Sequence, residues 1–160
     1  VPVSTSSAPG SDMGSAVPVS TSSAPGSDMG SAVPENVFNA IEWAESGGNP
    51  NAVSPKNALG LMQVIPKTAK KPGYNVKALE GRLEDATPDQ NRDFGRRYFM
   101  GMMNHFGDLD TALAAYNWGP GNTKRWVKAG SDPSRLPKET RNYIKRVRAR
   151  MSSNRSKVAG

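Results

Sequence analysis

PENVFNAIEWAESGGNP, residues 34–50, decides how this chain is read. Pro34 and Glu35 suit the first turn of a helix, where a missing N–H costs little and negative charge is favoured. Phe38, Ile41 and Glu45 follow at i, i+3 and i+7, the spacing of one helical face, so an acidic side chain closes an apolar stripe. Gly47 and Gly48 then end the helix. A carboxylate placed there meets the partial negative charge of a helix C-terminus and the desolvation of an apolar surface. Both disfavour its ionised form, and the expectation is a raised pKa for Glu45.

Two more glycine-punctuated segments lie downstream, Ala58-Leu59-Gly60-Leu61-Met62-Gln63 and Ala115-Tyr116-Asn117-Trp118-Gly119-Pro120-Gly121. Polar residues beside such glycines are candidates for a cleft, because glycine lets backbone turn sharply or approach a ligand. A fourth segment is Glu139-Thr140-Arg141-Asn142-Tyr143. Glycosidic cleavage usually pairs an acid with a second carboxylate. Glu42 sits three residues before Glu45, but the segments around Gly60–Gln63, Tyr116-Asn117 and Tyr143 offer amides and phenols.

The rest of the chain reads as helix. A short helix begins at Pro66 and is stopped by Pro72-Gly73. Thr87-Pro88-Asp89-Gln90 has the form of a capping box and opens a helix in which Phe94, Tyr98 and Met102, and Gly95, Phe99, Met103 and Phe106, repeat at helical spacing. Asp110 is read as the cap of a helix ending before Gly119, and another short helix includes Trp126 and Val127. The last runs from about Lys138 with Tyr143, Val147 and Met151 inward and Lys145, Arg146, Arg148 and Arg150 outward. Period-two alternation is absent, so the fold class is mainly α with at most a small β hairpin near residues 52–62.

Residues 1–16, VPVSTSSAPGSDMGSA, recur letter for letter at 17–32. This Ser, Pro, Gly and Ala composition cannot offset the entropy of ordering, and it reads as a flexible tail. The expected organisation is a tail over 1–32, one globular domain over 33–152 and a polar C-terminal tail over 153–160. The net charge is +7, and the first 32 residues hold two Asp and no Lys or Arg, so the remainder carries +9. Such a balance favours an anionic partner. The chain has no cysteine, which excludes disulfides, thiolate metal sites and a cysteine nucleophile. With one histidine, His105, and no acidic cluster at ligand spacing, neither a metal nor a cofactor is expected. No apolar run is long enough to span a bilayer or to serve as a signal peptide.

The four segments, in this order, resemble those of the lytic transglycosylases of the SLT family, whose catalytic domain is similar to goose-type lysozyme and which cleave bacterial peptidoglycan. The resemblance covers roughly Pro34 to Arg150. It implies a lysozyme-like helical domain acting on the β-1,4 bond between N-acetylmuramic acid and N-acetylglucosamine. One glutamate, Glu45, would serve as acid and then base, giving a 1,6-anhydromuramyl product. Ser54 and Gln63 would contact the N-acetyl group or saccharide, and Gly60, Leu61 and Met62 would form the loop and wall beneath it. Ala115, Tyr116 and Asn117 would orient the sugar and support Glu45, with Tyr143 close to the carboxylate. The chain departs from the commonest family pattern at Asn57 and Leu59, where small residues are frequent. The implied partner is the peptidoglycan strand, met in the periplasm or cell envelope or from a phage virion. The tail would suit tethering to a larger assembly.

Each residue also has a plainer reading. Gln63 and Asn117 could bond loop backbone, Tyr116 and Tyr143 could be core residues with satisfied hydroxyls, and Ser54 could fix a turn before Pro55. Met62, Met100, Met102 and Met103 read as core filling, and burial is the default for at least two of Trp43, Trp118 and Trp126. Rival functions are a hydrolytic muramidase, with water positioned by Asp108 or Asp110, a nucleic-acid-binding module resting on the basic segment 141–150, and a non-catalytic glycan-binding domain. No recognised nucleic-acid motif accompanies that segment.

Overall fold

A computed structural model describes residues 33–159, with side chains through 153; the repeated tail expected over 1–32 lies outside the described residues. The described helices belong to one unit, Glu35–Gly160. The first, α1, is Glu35–Ser46, bracketed by Pro34 and by Gly47, whose φ is 64°. The Gly47 N–H donates to the Trp43 carbonyl at 2.9 Å, which closes the last turn. A single-turn helix, α2, covers Pro66–Lys70.

The longest fully described element, α3, is Pro88–Phe106. It starts on the capping box read from the sequence: the Gln90 N–H donates to Thr87 Oγ1 at 3.1 Å, and the Thr87 N–H donates to Gln90 Oε1 at 2.8 Å. Phe94, Phe99 and Met102 have no exposed surface, which makes this helix the wall of the core. The next helix, α4, is Leu109–Trp118 and packs on α3, on α5 (Pro120–Lys128) and on α6 (Lys138–Ala159). Its run Ala112-Leu113-Ala114-Ala115 is buried on all sides, and the small residues let three helices approach one. α6 closes the domain against α1 and α4 through Thr140, Tyr143 and Val147, all buried.

One expectation is corrected. The cap of α4 is Asp108, whose carboxylate accepts from the Thr111 N–H at 3.0 Å and from Thr111 Oγ1 at 2.9 Å. Asp110 lies inside the first turn and reaches Arg148 at 2.6 Å instead. The helix containing Trp126 begins at Pro120, because Gly119 at φ 102° redirects the chain within one residue and Pro120 has the φ of a first turn. The last helix, α6, runs on to Ala159, since residues 138–159 contain neither Gly nor Pro to stop it. The loop between α1 and α2 carries two isolated antiparallel bridges, Val53 with Leu59 and Leu59 with Val64, and no strand forms among the described residues.

Candidate active site

Glu45 occupies the last turn of α1. The residue keeps part of its surface accessible, but its carboxyl is surrounded by protein. Burial, the largest influence, pushes its pKa up to about 8; Tyr143 and Arg146 act in the opposite direction, and Glu139 adds to the rise. The Tyr143 ring is 1% exposed and its hydroxyl, fully enclosed, has no hydrogen-bond partner of ordinary geometry. Tyr143 nonetheless lowers the Glu45 pKa as a hydrogen-bonding neighbour, and the Glu45 charge raises that of the phenol in turn. Tyr116 feels the same carboxylate, and burial followed by that charge raises its own pKa. The sequence expectation for Glu45 thus has a physical counterpart, with desolvation as the leading cause.

The chain from Ala58 to Val64 makes a tight loop. Gly60 has φ 80° and Gln63 has φ 50°. Three side chains grip the loop by its backbone. Asn91 of α3 accepts from the Met62 N–H at 2.9 Å and donates to the Leu59 carbonyl at 2.9 Å. Tyr116 donates its hydroxyl to the Met62 carbonyl at 2.7 Å. Gln63 Nε2 donates to the carbonyls of Ala52 at 3.0 Å and Gly60 at 2.9 Å. Glycine is needed twice where the loop meets α3. A Cβ on Gly60 would stand 2.5 Å from Asn91 Nδ2, and one on Gly95 would stand 2.3 Å from Met62 Cβ. Leu61 and Met62 are buried and form the wall behind the loop.

The plainer readings therefore hold for several polar groups. Ser54 Oγ accepts from the N–H groups of Lys56 at 3.2 Å and Ala58 at 3.0 Å, which fixes the turn through Pro55. Asn117 Oδ1 accepts from Thr140 Oγ1 at 3.0 Å, tying the end of α4 to the first turn of α6. These bonds leave Gln63 Oε1 and Asn117 Nδ2 free, and both residues line a cavity of about 210 Å³ together with Ala115, Tyr116, Trp118 and Tyr98. Glu45 is not among that cavity's lining residues. Asn91 and Thr140 emerged only from the folded chain, since their partners lie 29 and 23 residues away.

The other acids near the site are engaged elsewhere. Glu42 accepts two bonds from Arg92, at 2.9 and 3.2 Å, and Asp108 and Asp110 serve the start of α4 and Arg148. Asp108 lies about 12 Å along α4 from Tyr116 at the helical rise per residue. None of the three tryptophans is buried: Trp43 is 41% exposed and Trp118 and Trp126 are half-buried, contrary to the default for at least two. Met62 and Met102 are core, whereas Met100 and Met103 are half-buried. Among the described residues no cluster of three His, Asp or Glu side chains could hold a metal ion.

A helical domain with an enclosed acid at a helix end, beside two buried phenols, is of the lysozyme-like class. It matches the structure of the 70 kDa soluble lytic transglycosylase in complex with bulgecin A with a TM-score of 0.69 and 28% identity, over 82% of this chain and 23% of that one. The sequence profile of the transglycosylase SLT domain matches residues 27–136, and the chain belongs to that family. It is 35% identical over 128 residues to the soluble lytic murein transglycosylase of Escherichia coli K12, covering 69% of this chain and 19% of that protein. It is also 35% identical over 94 residues to the transglycosylase of Enterobacteria phage PRD1, covering 59% of this chain and 32% of the phage protein. The chain thus spans less than a third of the length of either relative.

Proposed function

We propose that this domain cleaves the β-1,4 bond between N-acetylmuramic acid and N-acetylglucosamine in peptidoglycan, with Glu45 as sole acid and base. The observation that carries the proposal is a single enclosed carboxyl, with pKa about 8, whose acidic neighbours are bound to other groups or exposed. At pH 7 such a group is about nine-tenths protonated. It can therefore deliver a proton to the glycosidic oxygen as the bond to the muramyl anomeric carbon breaks. The resulting carboxylate then takes the proton of the muramyl 6-hydroxyl, whose oxygen closes on the same anomeric carbon. The 1,6-anhydro ring forms, Glu45 ends protonated, and water is neither consumed nor released.

Intramolecular attack gains from proximity and dispenses with a water-positioning carboxylate. That argument also weighs against the muramidase reading, because Asp108 and Asp110 are committed away from the site. An N-acetyl group needs one donor and one acceptor, and Asn117 Nδ2 and Gln63 Oε1 are the free pair lining the cavity. Ser54, Gly60, Leu61, Met62, Ala115 and Tyr116 act on this reading by shaping and holding the wall, and Tyr143 by steadying Glu45. The relatives' names support a murein substrate, and the setting proposed is the cell envelope or a virion, with residues 1–32 as a tether.

Mass spectrometry of muropeptides released from purified peptidoglycan tests the reaction. Anhydromuramyl products from the wild type and none from Glu45→Gln are expected. Reducing-end products would assign hydrolysis instead, and equal turnover by both proteins would remove Glu45 from the mechanism. For the tail, capture of the same partners with and without residues 1–32 would dismiss the tether.

A further inference from the structure

The sequence Glu139, Tyr143, Arg146, Arg150 runs along α6 at i, i+4, i+7 and i+11, one continuous stripe of the helix. This stripe is the flank that meets α1. The Arg150 guanidinium stands 4.9 Å from the centre of the Trp43 ring, and Tyr143 faces Glu45. Arg146 lies between those two contacts, exposed at its tip, with its guanidinium 5.9 Å from the centre of the Tyr143 ring. Arg148, two residues on, is spent on Asp110. Arg146 has no carboxylate within ion-pair distance among the described residues.

We propose that Arg146 is a positioning residue of the acid–base step: from its seat over Tyr143 it steadies the negative charge that Glu45 acquires when its proton has been delivered. The inference rests on the reading of Glu45 given above. The charged and titratable groups facing Glu45 are Glu139, Tyr143 and Arg146 from α6, Tyr116 from α4 and, on α1 itself, Glu42, whose charge is held by Arg92 of α3. Among the described residues Arg146 is the cation that acts on Glu45, and Glu139 acts in the opposite sense. Arg146 favours the carboxylate form, so its loss favours the acid form. The alkaline limb of kcat/KM, where Glu45 gives up its proton before binding substrate, then moves to higher pH. At the same time kcat falls on the plateau, because the charge developing on Glu45 loses its counterion.

The experiment compares turnover of purified peptidoglycan by the wild type, Arg146→Gln, Arg146→Lys and Lys145→Gln from about pH 5 to pH 10. Lys145 is exposed on the outward face of α6 and supplies a control of equal charge change. Arg146→Gln is expected to shift the alkaline limb upward by about half a pH unit and, through the same interaction, to lower kcat about threefold, with KM changed less than about twofold. Arg146→Lys should restore most of both effects, and Lys145→Gln should overlay the wild type. An Arg146→Gln profile that overlays the wild type overturns the proposal. So does a raised KM with an unshifted profile, which would make Arg146 a contact for the acidic groups of the substrate. A wild type that releases no product, or a Glu45→Gln variant that keeps its turnover, would instead overturn the reading of Glu45 on which the proposal stands.

Discussion

Glu45 is protonated in the fold at pH values where it is ionised in the unfolded chain, and that difference sets a pH dependence of stability. Its pKa is about 8 in the native state against 4.5 for a free glutamate side chain. A carboxyl raised on folding holds more protons in the native state between those values, so its contribution falls as pH rises from about 4.5 to 8 and is at its least above 8. Glu45→Gln removes the liability. Its melting temperature should match the wild type near pH 5 and exceed it by several degrees, on the order of 5 °C, near pH 9, read by calorimetry. Turnover in the same variant should fall by at least about a thousandfold. Asn117 gives a different outcome. Asn117→Ala should raise KM several-fold, about 1 kcal/mol of binding, and should also lower stability slightly through the lost bond to Thr140. Placing the carboxyl at the end of an apolar stripe before two glycines was legible in the sequence. Tyr143 was named beside it only through the family resemblance and Arg146 not at all, because both reach it only when α6 packs against α1.

At the scale of elements, the starts of helices show what local sequence can and cannot settle. Thr87 and Gln90 announce α3 because each bond of the capping box joins residues three apart. Asp108 and Asp110 are both plausible caps of α4, and the choice fell to a tertiary partner, since Asp110 is drawn to Arg148 across 38 residues. The same limit applies to the loop at 58–64. Its glycines marked it as a site, but its anchor, Asn91, looked like one polar residue among many in the first turn of α3. Asn91→Ala should destabilise the domain by about 2–3 kcal/mol, because it leaves the buried Met62 N–H and the Leu59 carbonyl without partners; urea unfolding would measure it. Catalysis should weaken with it, whereas Thr87→Ala should cost about 1 kcal/mol and leave kcat unchanged, since the cap is remote from Glu45.

For the molecule as a whole, charge is distributed by helix. The arginines of α3 are neutralised: Arg92 by Glu42, Arg96 by Glu35 and Arg97 by Asp93. On α5 and α6, Arg148 has a carboxylate partner, while Lys124, Arg125, Lys128, Lys138 and Arg141 have none among the described residues. The excess positive charge was evident from composition, but which cations find a carboxylate follows from the packing. Retention on insoluble peptidoglycan should therefore decline steeply as salt is raised from about 50 to about 500 mM, in a pelleting assay. The melting temperature should move by only a few degrees over that range, because exposed ion pairs are worth about 0–1 kcal/mol each.

Asn91, Tyr116 and Gln63 hold the loop from Ala58 to Val64 through its carbonyl and amide groups. A grip of that kind is blind to what the loop's outer side chains are. A residue such as Leu59 can be exchanged without releasing the backbone, so the fold separates what must stay fixed from what can drift to suit a new wall. Descendants of such a domain could alter the strand they accept while inheriting the acid and its surroundings unchanged.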